Sequence, residues 1–487
     1  NLMKGEKMAY KGIEYLKIKL SNRRHRVELR YDYYEMKNRM KDFEITMPKE
    51  YRWLKETLGW CGKSVDAIAD RIVFKEFKDD NFNFNEIYNM NNKDVLIDSA
   101  VLGALISSCC FIYISPGVDG YPRMRVIDGR RATGIIDPIT NLLIEGYAIL
   151  EVDEKEMPTI EAYFTKEETV IYRKGATKPE IYKNPAPYPL LVPVIYRPDA
   201  KRPFGHSRIS RACMSIMQGA LRTLKRAEVS AEFYSFPQKY VTGLDPDAEE
   251  MNKWRATIST FLSFTKDSEG QAPTLGQFTQ QSMTPYIDQI RMLASLFAGE
   301  SGLTTDDLGF VSDNPSSSES IKASHENLRL VTRKAQRNFS VGLINTGYLA
   351  ACVRDNFPYV RNQIYKTSVT YEPIFEPDMS TLSLIGDGAI KINQAVPGYF
   401  GKNSLREITG IEPDSDVQTS QPSENTYVKS NEEKQGTQKK PTMYEITSLI
   451  SKYKRGSITY NNALNMLKYI GVDENEAKAL IDEESNA

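Results

Sequence analysis

Histidine is scarce in this chain: three in 487 residues, His25, His206 and His325. None is paired with another four residues away and no cysteine lies at ligand spacing beside them, so neither a structural metal nor a histidine-based triad is expected. The five cysteines, Cys61, Cys109, Cys110, Cys213 and Cys352, form no C-x-x-C pair and read as buried free thiols in a reducing compartment. Long apolar runs are missing too. The nearest, VLGALISSCCFIYI, falls short of the ~18 residues a membrane span needs and is interrupted by Ser107 and Ser108, so it is expected in a core, and no membrane partner is expected. An excess of either charge is also absent: 64 acidic against 63 basic residues leave −1, which argues against a protein held on nucleic acid by bulk positive field. The opening NLMKGEKMAYKGIEYLKIKL lacks the apolar stretch and cleavage site of a secretion signal, so an intracellular origin is expected.

The length allows two or three domains. From Tyr10 to Phe77 the pattern is mostly helical, in YEMKNRM, EYRWLKETL and VDAIADRIVF, and it carries a basic cluster at Arg23, Arg24, His25 and Arg26. Between Leu96 and Pro198 the period shifts towards two, in FIYIS, MRVIDG, EGYAIL, TIEAYF, ETVIYR and LVPVIYR, which predicts a mixed, largely antiparallel sheet. A long helix follows, with Ile209, Cys213, Ile216, Ala220, Leu224, Ala227, Ala231 and Tyr234 on one face and Ser207 as its cap. It would be a strut of roughly 40 Å. Phe236 to Met283 reads as a compact insertion. Thr284-Pro285 then opens a second helix, with Tyr286, Ile290, Leu293 and Phe297 as its stripe and Gly299 and Gly302 as its end.

The next stretch, GLTTDDLGFVSDNPSSSESIKASHENL, starts as an acidic loop and becomes a helix at Pro315 and Ser316 through a capping box, Ser316-x-x-Glu319. Ile321, Leu328, Val331, Ala335 and Phe339 form that helix's buried stripe. Glu412 to Pro441 has almost no apolar content and reads as a linker, and Met443 to Asp482 as two or three short amphipathic helices.

Candidate chemistry is thin. TLGWCGKS ends like a phosphate-binding loop, Gly62-Lys63-Ser64, but has Thr57 where the first glycine should stand and follows a helical pattern rather than a strand; a turn joining two helices is the plainer reading. The acidic pairs Asp306-Asp307 and Glu249-Glu250 read as solvated surface. Arg208, Arg211, Arg222, Lys225 and Arg226 on the first strut could touch phosphates, although a solvated or intersubunit face is the simpler assignment with Glu228 and Glu232 on the same helix.

Four stretches in one order carry a resemblance. VDAIADRIVFKEF, AVLGALISSCCFIYISPGVDGYPRMRVIDGR, GHSRISRACMSIMQGALRTLKRAEVSAEFYSFPQKYVTGLD and the acidic loop with its Asn-Pro-Ser-Ser helix start resemble the portal proteins of tailed bacteriophages, of the long-tailed type, over about Val65 to Phe339. The resemblance implies an α+β portal fold: an α/β wing (1–203), a first stem helix (204–235), a small α/β clip (236–283), a second stem helix (284–302) and a tunnel loop (303–318). A long helix with the remaining wing (319–411), a linker (412–441) and a helical crown (442–487) complete it. It implies a non-enzymatic dodecameric ring without cofactor at one capsid vertex of the virion, made in the bacterial host cytoplasm. Its partners would be double-stranded DNA, the terminase large subunit, a head-to-tail adaptor, and the major capsid and scaffolding proteins.

By position, Thr304, Thr305, Asp306, Asp307, Leu308, Phe310, Val311 and Asp313 would face the DNA. The aspartates would present like charge to phosphates, and the apolar residues would press on the duplex without ion pairing, a collar rather than a grip. Two alternatives stay open at this stage: a nucleotide-dependent enzyme acting on nucleic acid through Gly62-Lys63-Ser64, and a scaffold with the portal fold that passes no DNA.

Overall fold

The computed structural model describes residues 10–41, 53, 55–117, 120–235, 239–242, 270, 274–277, 282–310, 323–375, 379–401, 404–405, 446, 460–469, 472 and 477–478. The chain divides into two units, 1–412 and 413–487. In the second, helical residues Tyr460–Tyr469 bury Ala463 and Leu467 with Val472 and Ala477 in a small core of their own.

The first unit opens with α1 (Ile13–Tyr34). Leu16 and Leu20, one turn apart, pack on Tyr147 and Ile149. Its start is fixed by the buried Glu145 carboxylate, which accepts from the Lys11 and Gly12 amides at 2.9 and 3.2 Å and from the Tyr163 hydroxyl at 2.8 Å. A negative charge at a helix N-terminus satisfies donors that have no partner within the helix.

The helix ends at Tyr34, the first residue of YEMKNRM, so EMKNRM lies beyond it, and the described residues of EYRWLKETL are not helical either. Helix α2 (Trp60–Ala69) and strand β1 (Phe74–Lys78) then divide VDAIADRIVF between them, and short α3 (Phe84–Asn89) follows.

The apolar run that reads as core is a helix turning into a strand. Helix α4 (Lys93–Ser107) leads through Ser108, with φ 89°, into β2 (Cys109–Ser115), so Leu96 to Ser107 is helical rather than strand. The two serines make the turn possible. The Ser107 hydroxyl donates to the Gly103 or Cys109 carbonyl, each 2.6 Å away, and the Ser108 amide donates to the Ala104 carbonyl at 2.9 Å.

The remaining strands are antiparallel throughout. In one sheet β2 lies between β3 (Arg123–Ile127) and β9 (Leu191–Ile195); in the other β4 (Ala132–Ile136), β5 (Leu143–Val152), β6 (Pro158–Phe164), β7 (Glu168–Arg173) and β8 (Glu180–Lys183) pair in sequence order. All five cysteines are free and buried. Among the described residues no helix is long and apolar enough to cross a membrane.

Helix α5 (Arg211–Ser235) is the first strut, about 37 Å long. Its start lies later than Ser207, and Ser210 is the cap, accepting the Cys213 amide at 3.1 Å, whereas Ser207 donates to the Ile106 carbonyl at 2.6 Å. Strands β10 (Lys239–Thr242) and β11 (Thr274–Gln277) form a two-stranded ladder after it.

The second strut, α6 (Thr284–Ser301), has Pro285 in its first turn; Gly299 lies inside it and Gly302, with φ 70°, ends it. The two struts run antiparallel, since Ser210 donates to Glu300 at 2.9 Å and the Ser230 and Tyr286 hydroxyls meet at 2.9 Å a helix length away. Phe297 is fully buried with its ring 5.6 Å from that of Trp60 on α2, a contact of about 2 kcal/mol or more from burial alone.

Helix α7 (Glu326–Asp355) is longer than its expected end at Phe339, and the capping box at Ser316 lies outside the described residues. Its second half is buried among the first unit's strands and helices. Tyr88 donates to the Leu343 carbonyl at 2.8 Å, and a Cβ at Gly347 would stand 2.8 Å from the Phe84 ring. Strand β12 (Ser368–Tyr371) then pairs with β1, and α8 (Met379–Ala395) follows.

The struts are set at one joint. The Arg208 amide donates to the Leu105 carbonyl at 2.8 Å, its Nε to the Ser64 carbonyl at 3.1 Å and its Nη2 to the Ser301 carbonyl. One residue thus joins α2, α4 and the last turn of α6 at the root of α5. Arg208→Ala is expected to cost about 3 kcal/mol or more, because buried carbonyls lose a charged donor. Arg208→Lys should recover little of this, since an ammonium lacks the planar fork that reaches two carbonyls; urea denaturation of the three proteins measures both.

Candidate functional site

Residues 302–310 leave the end of α6 not as an open loop but as a folded turn. Leu303 and Leu308 are buried in the main core and Phe310 packs against it, so the described apolar residues hold the segment to the body rather than project from it. Residues Asp306–Leu308 form a single 3-10 turn closed by Gly309 at φ 93°.

Asp307 is internal to that turn. Its carboxylate accepts from the Thr304 amide and hydroxyl, both at 2.9 Å, and lies 3.5 Å from His325 Nε2 at the start of α7. Burial pushes this carboxyl up, but the two Thr304 bonds and the His325 ring outweigh it and hold the group below the usual carboxylate range. Of the described acidic residues expected to face DNA, only Asp306 is exposed; Thr304 and Thr305 are half-buried. Val311 and Asp313 lie outside the described residues. The sequence signal for the Asp307 turn was present in Thr304-x-x-Asp307, a hydroxyl three residues from a carboxylate, but His325 is a partner that only the fold supplies.

The basic residues of the first strut separate in the same way. Arg208 does not belong with a channel or intersubunit face, because it is buried within the chain. Lys225 is buried as well, at 4% exposure, and Arg226 is half-buried. Arg211 and Arg222 line a cleft of about 740 Å³ with Lys37, Arg39 and Lys41. Gln218 ties that basic segment to α5, accepting the Lys41 amide at 2.8 Å and donating to the Arg39 carbonyl at 3.0 Å.

Gly62-Lys63-Ser64 is neither a phosphate loop nor a turn between helices. All three residues lie in the first half of α2, and the fully buried Ser64 hydroxyl donates to the Cys61 carbonyl at 2.8 Å. Among the described residues no group of three histidine, cysteine or acidic side chains is placed to hold a metal ion.

Compared with known families, residues 13–379 match the model described as phage portal protein, SPP1 Gp6-like, a span that takes in both struts and the acidic turn. This chain belongs to that phage portal family. The portal protein of Mycobacterium phage L5 is 26% identical over 335 residues, covering 64% of this chain and 67% of that protein. The portal protein of Mycobacterium phage D29 is 24% identical over 333 residues with the same coverage.

Among solved structures, chains from the virion of a native gene transfer agent particle and from its neck computed with C12 symmetry cover 73% of this chain and 90% of their own at 12% identity and TM-score 0.40. At that level they add nothing to the assignment. Membership makes the chain a phage portal protein, and the portal family serves as the conduit for DNA; its part is structural rather than enzymatic.

The Asp307 turn has a pH signature. A carboxyl whose folded value is depressed contributes stability above its unfolded value and loses it as pH falls through the folded one. Wild type should therefore melt above Asp307→Asn at pH 7, and the gap should close below about pH 4. Thermal melts of both proteins across that range check it.

Proposed function

We propose that copies of this portal chain close into a dodecameric ring through heterologous contacts, with α5 and α6 as the stem and 303–318 as a tunnel loop facing double-stranded DNA. Residues 236–283 serve as the clip that meets the terminase large subunit during packaging and a head-to-tail adaptor afterwards. Residues 1–203 and 319–411 form the wing against major capsid and scaffolding proteins, and 442–487 the crown after a linker at 412–441. The ring belongs to the virion and is made in the bacterial host cytoplasm. It hydrolyses no nucleotide; packing of Ser64 inside α2 supports this, since a phosphate loop needs that hydroxyl and its backbone amides free.

The observation that carries the reading is the rooting of the acidic turn at the meeting of α6 and α7. With Leu303 and Leu308 in the core and Asp307 bound to Thr304 and His325, the turn is anchored at its base. The collar then takes a different form: its charge comes from Asp306 and Asp313, while Asp307 holds the base. A smooth passage needs contact with the duplex without salt-dependent attraction multiplied around a ring.

Asp306→Lys should slow DNA packaging most at low salt and approach the wild-type rate as salt rises. Deleting residues 311–318 should leave rings intact in electron micrographs and in mass while packaging or retention of DNA fails. Packaging rates unchanged across salt in the first variant, and normal particles from the second, would sink the tunnel-loop reading.

A further inference from the structure

Helix α1 splits the basic cluster of Arg23, Arg24, His25 and Arg26. Arg24 turns to Glu28 and Glu156, at 2.7 and 3.2 Å. Arg23 and Arg26 instead share a face with Lys19 and Arg30, because residues three and four apart stack along a helix. These four, with Arg202 from the segment between β9 and α5, line a cavity of about 430 Å³ whose walls contain no carboxylate. None of the residues assigned to the channel is among them.

The cations are held in place by neutral groups. The Arg30 Nη1 donates to the Ser107 carbonyl at 3.0 Å, the Arg23 Nη2 to the Ser108 hydroxyl at 3.2 Å and the Lys19 Nζ to the Gly134 carbonyl at 2.7 Å. Phe204 lies beneath two of them, its ring centre 5.1 Å from Lys19 Nζ and 5.6 Å from Arg23 Cζ. The Ser107 carbonyl at the end of α4 accounts for part of the positive charge, but it fixes the Arg30 side chain without neutralising it.

The neighbouring acid is already engaged. Asp199 meets His206 at 2.5 Å and accepts the Arg202 amide at 2.6 Å. Burial, then repulsion from Arg23, Arg26 and Arg202, pushes the Arg30 guanidinium down to about 10. Gly205 closes the wall with φ 73°, where a Cβ would stand 2.0 Å from the Tyr196 carbonyl oxygen, so the backbone there cannot give way to a larger residue.

We propose that this cavity is a binding site for a multiply charged phosphate group, supplied either by a nucleic-acid backbone or by a small free polyphosphate. Four guanidinium groups offer the planar forks that match phosphate oxygens, and one carboxylate would leave most of the five charges unmatched. The cavity's size suits a small ligand or a short length of backbone.

The full chain is tested by thermal melting and titration with inorganic tripolyphosphate and, separately, with a short oligothymidylate. Arg26 and Arg202 are exposed, so Arg26→Glu with Arg202→Glu leaves the packed face of α1 intact. Lys155→Glu with Lys166→Glu makes the same charge change on turns of the five-stranded sheet. Tripolyphosphate should raise the melting temperature of wild type and of the lysine control, and bind the arginine variant at least about tenfold more weakly. Stabilisation by tripolyphosphate alone assigns a small anion; stabilisation by oligothymidylate, with or without tripolyphosphate, assigns a nucleic-acid backbone. No stabilisation of wild type by either probe, or equal stabilisation of the arginine variant, overturns the site.

Discussion

A single buried guanidinium governs the arrangement of the long helices. Arg208 sits at the root of α5 and reaches two carbonyls on two other helices, while its own amide is spent on a third. The Ser301 carbonyl is one of those a helix end leaves without an internal partner, so the bond both satisfies an acceptor and places a cation at the negative end of α6. Because α5 runs about 37 Å from this joint, a tilt of about 3° there would move its far end by about 2 Å. Polar geometry fixes the root of α5, and apolar side chains of both struts, among them Met217, Ala220, Ala294 and Phe297, share the core beyond it.

The acidic turn follows the same logic on a smaller scale. One of the turn's two adjacent aspartates is consumed in building the turn itself. Thr304 supplies two donors and His325 a third group, so the Asp307 carboxylate acts as an internal tie between the end of α6 and the start of α7. Its neighbour Asp306 keeps its charge for the outside.

Much of this was legible from spacing. The strand runs from FIYIS to LVPVIYR and the two struts could be read, because period and turn residues act locally. The misreadings share a cause. Cys109 to Ser115 follows Val101 to Ser107 with no polar break longer than two serines, and a mostly apolar run of this kind carries little period to separate helix from strand, although exposed Asp98 and Ser99 mark the outer face of α4. YEMKNRM has helical spacing but all of it after Tyr34 lies past the end of α1, where segment 39–41 is held by Gln218 instead. Arg208 and Leu308 looked like surface residues because nothing in a single sequence says which arginine finds carbonyls or which leucine of a loop finds the core.

Helix α7 is one uninterrupted member of 30 residues, with a turn just before it at His325 and close backbone contacts at Gly342 and Gly347 near its far part. A side chain larger than hydrogen at either glycine would push α7 off β9 or the Phe84 ring, so the two glycines fix how closely the helix lies against the body.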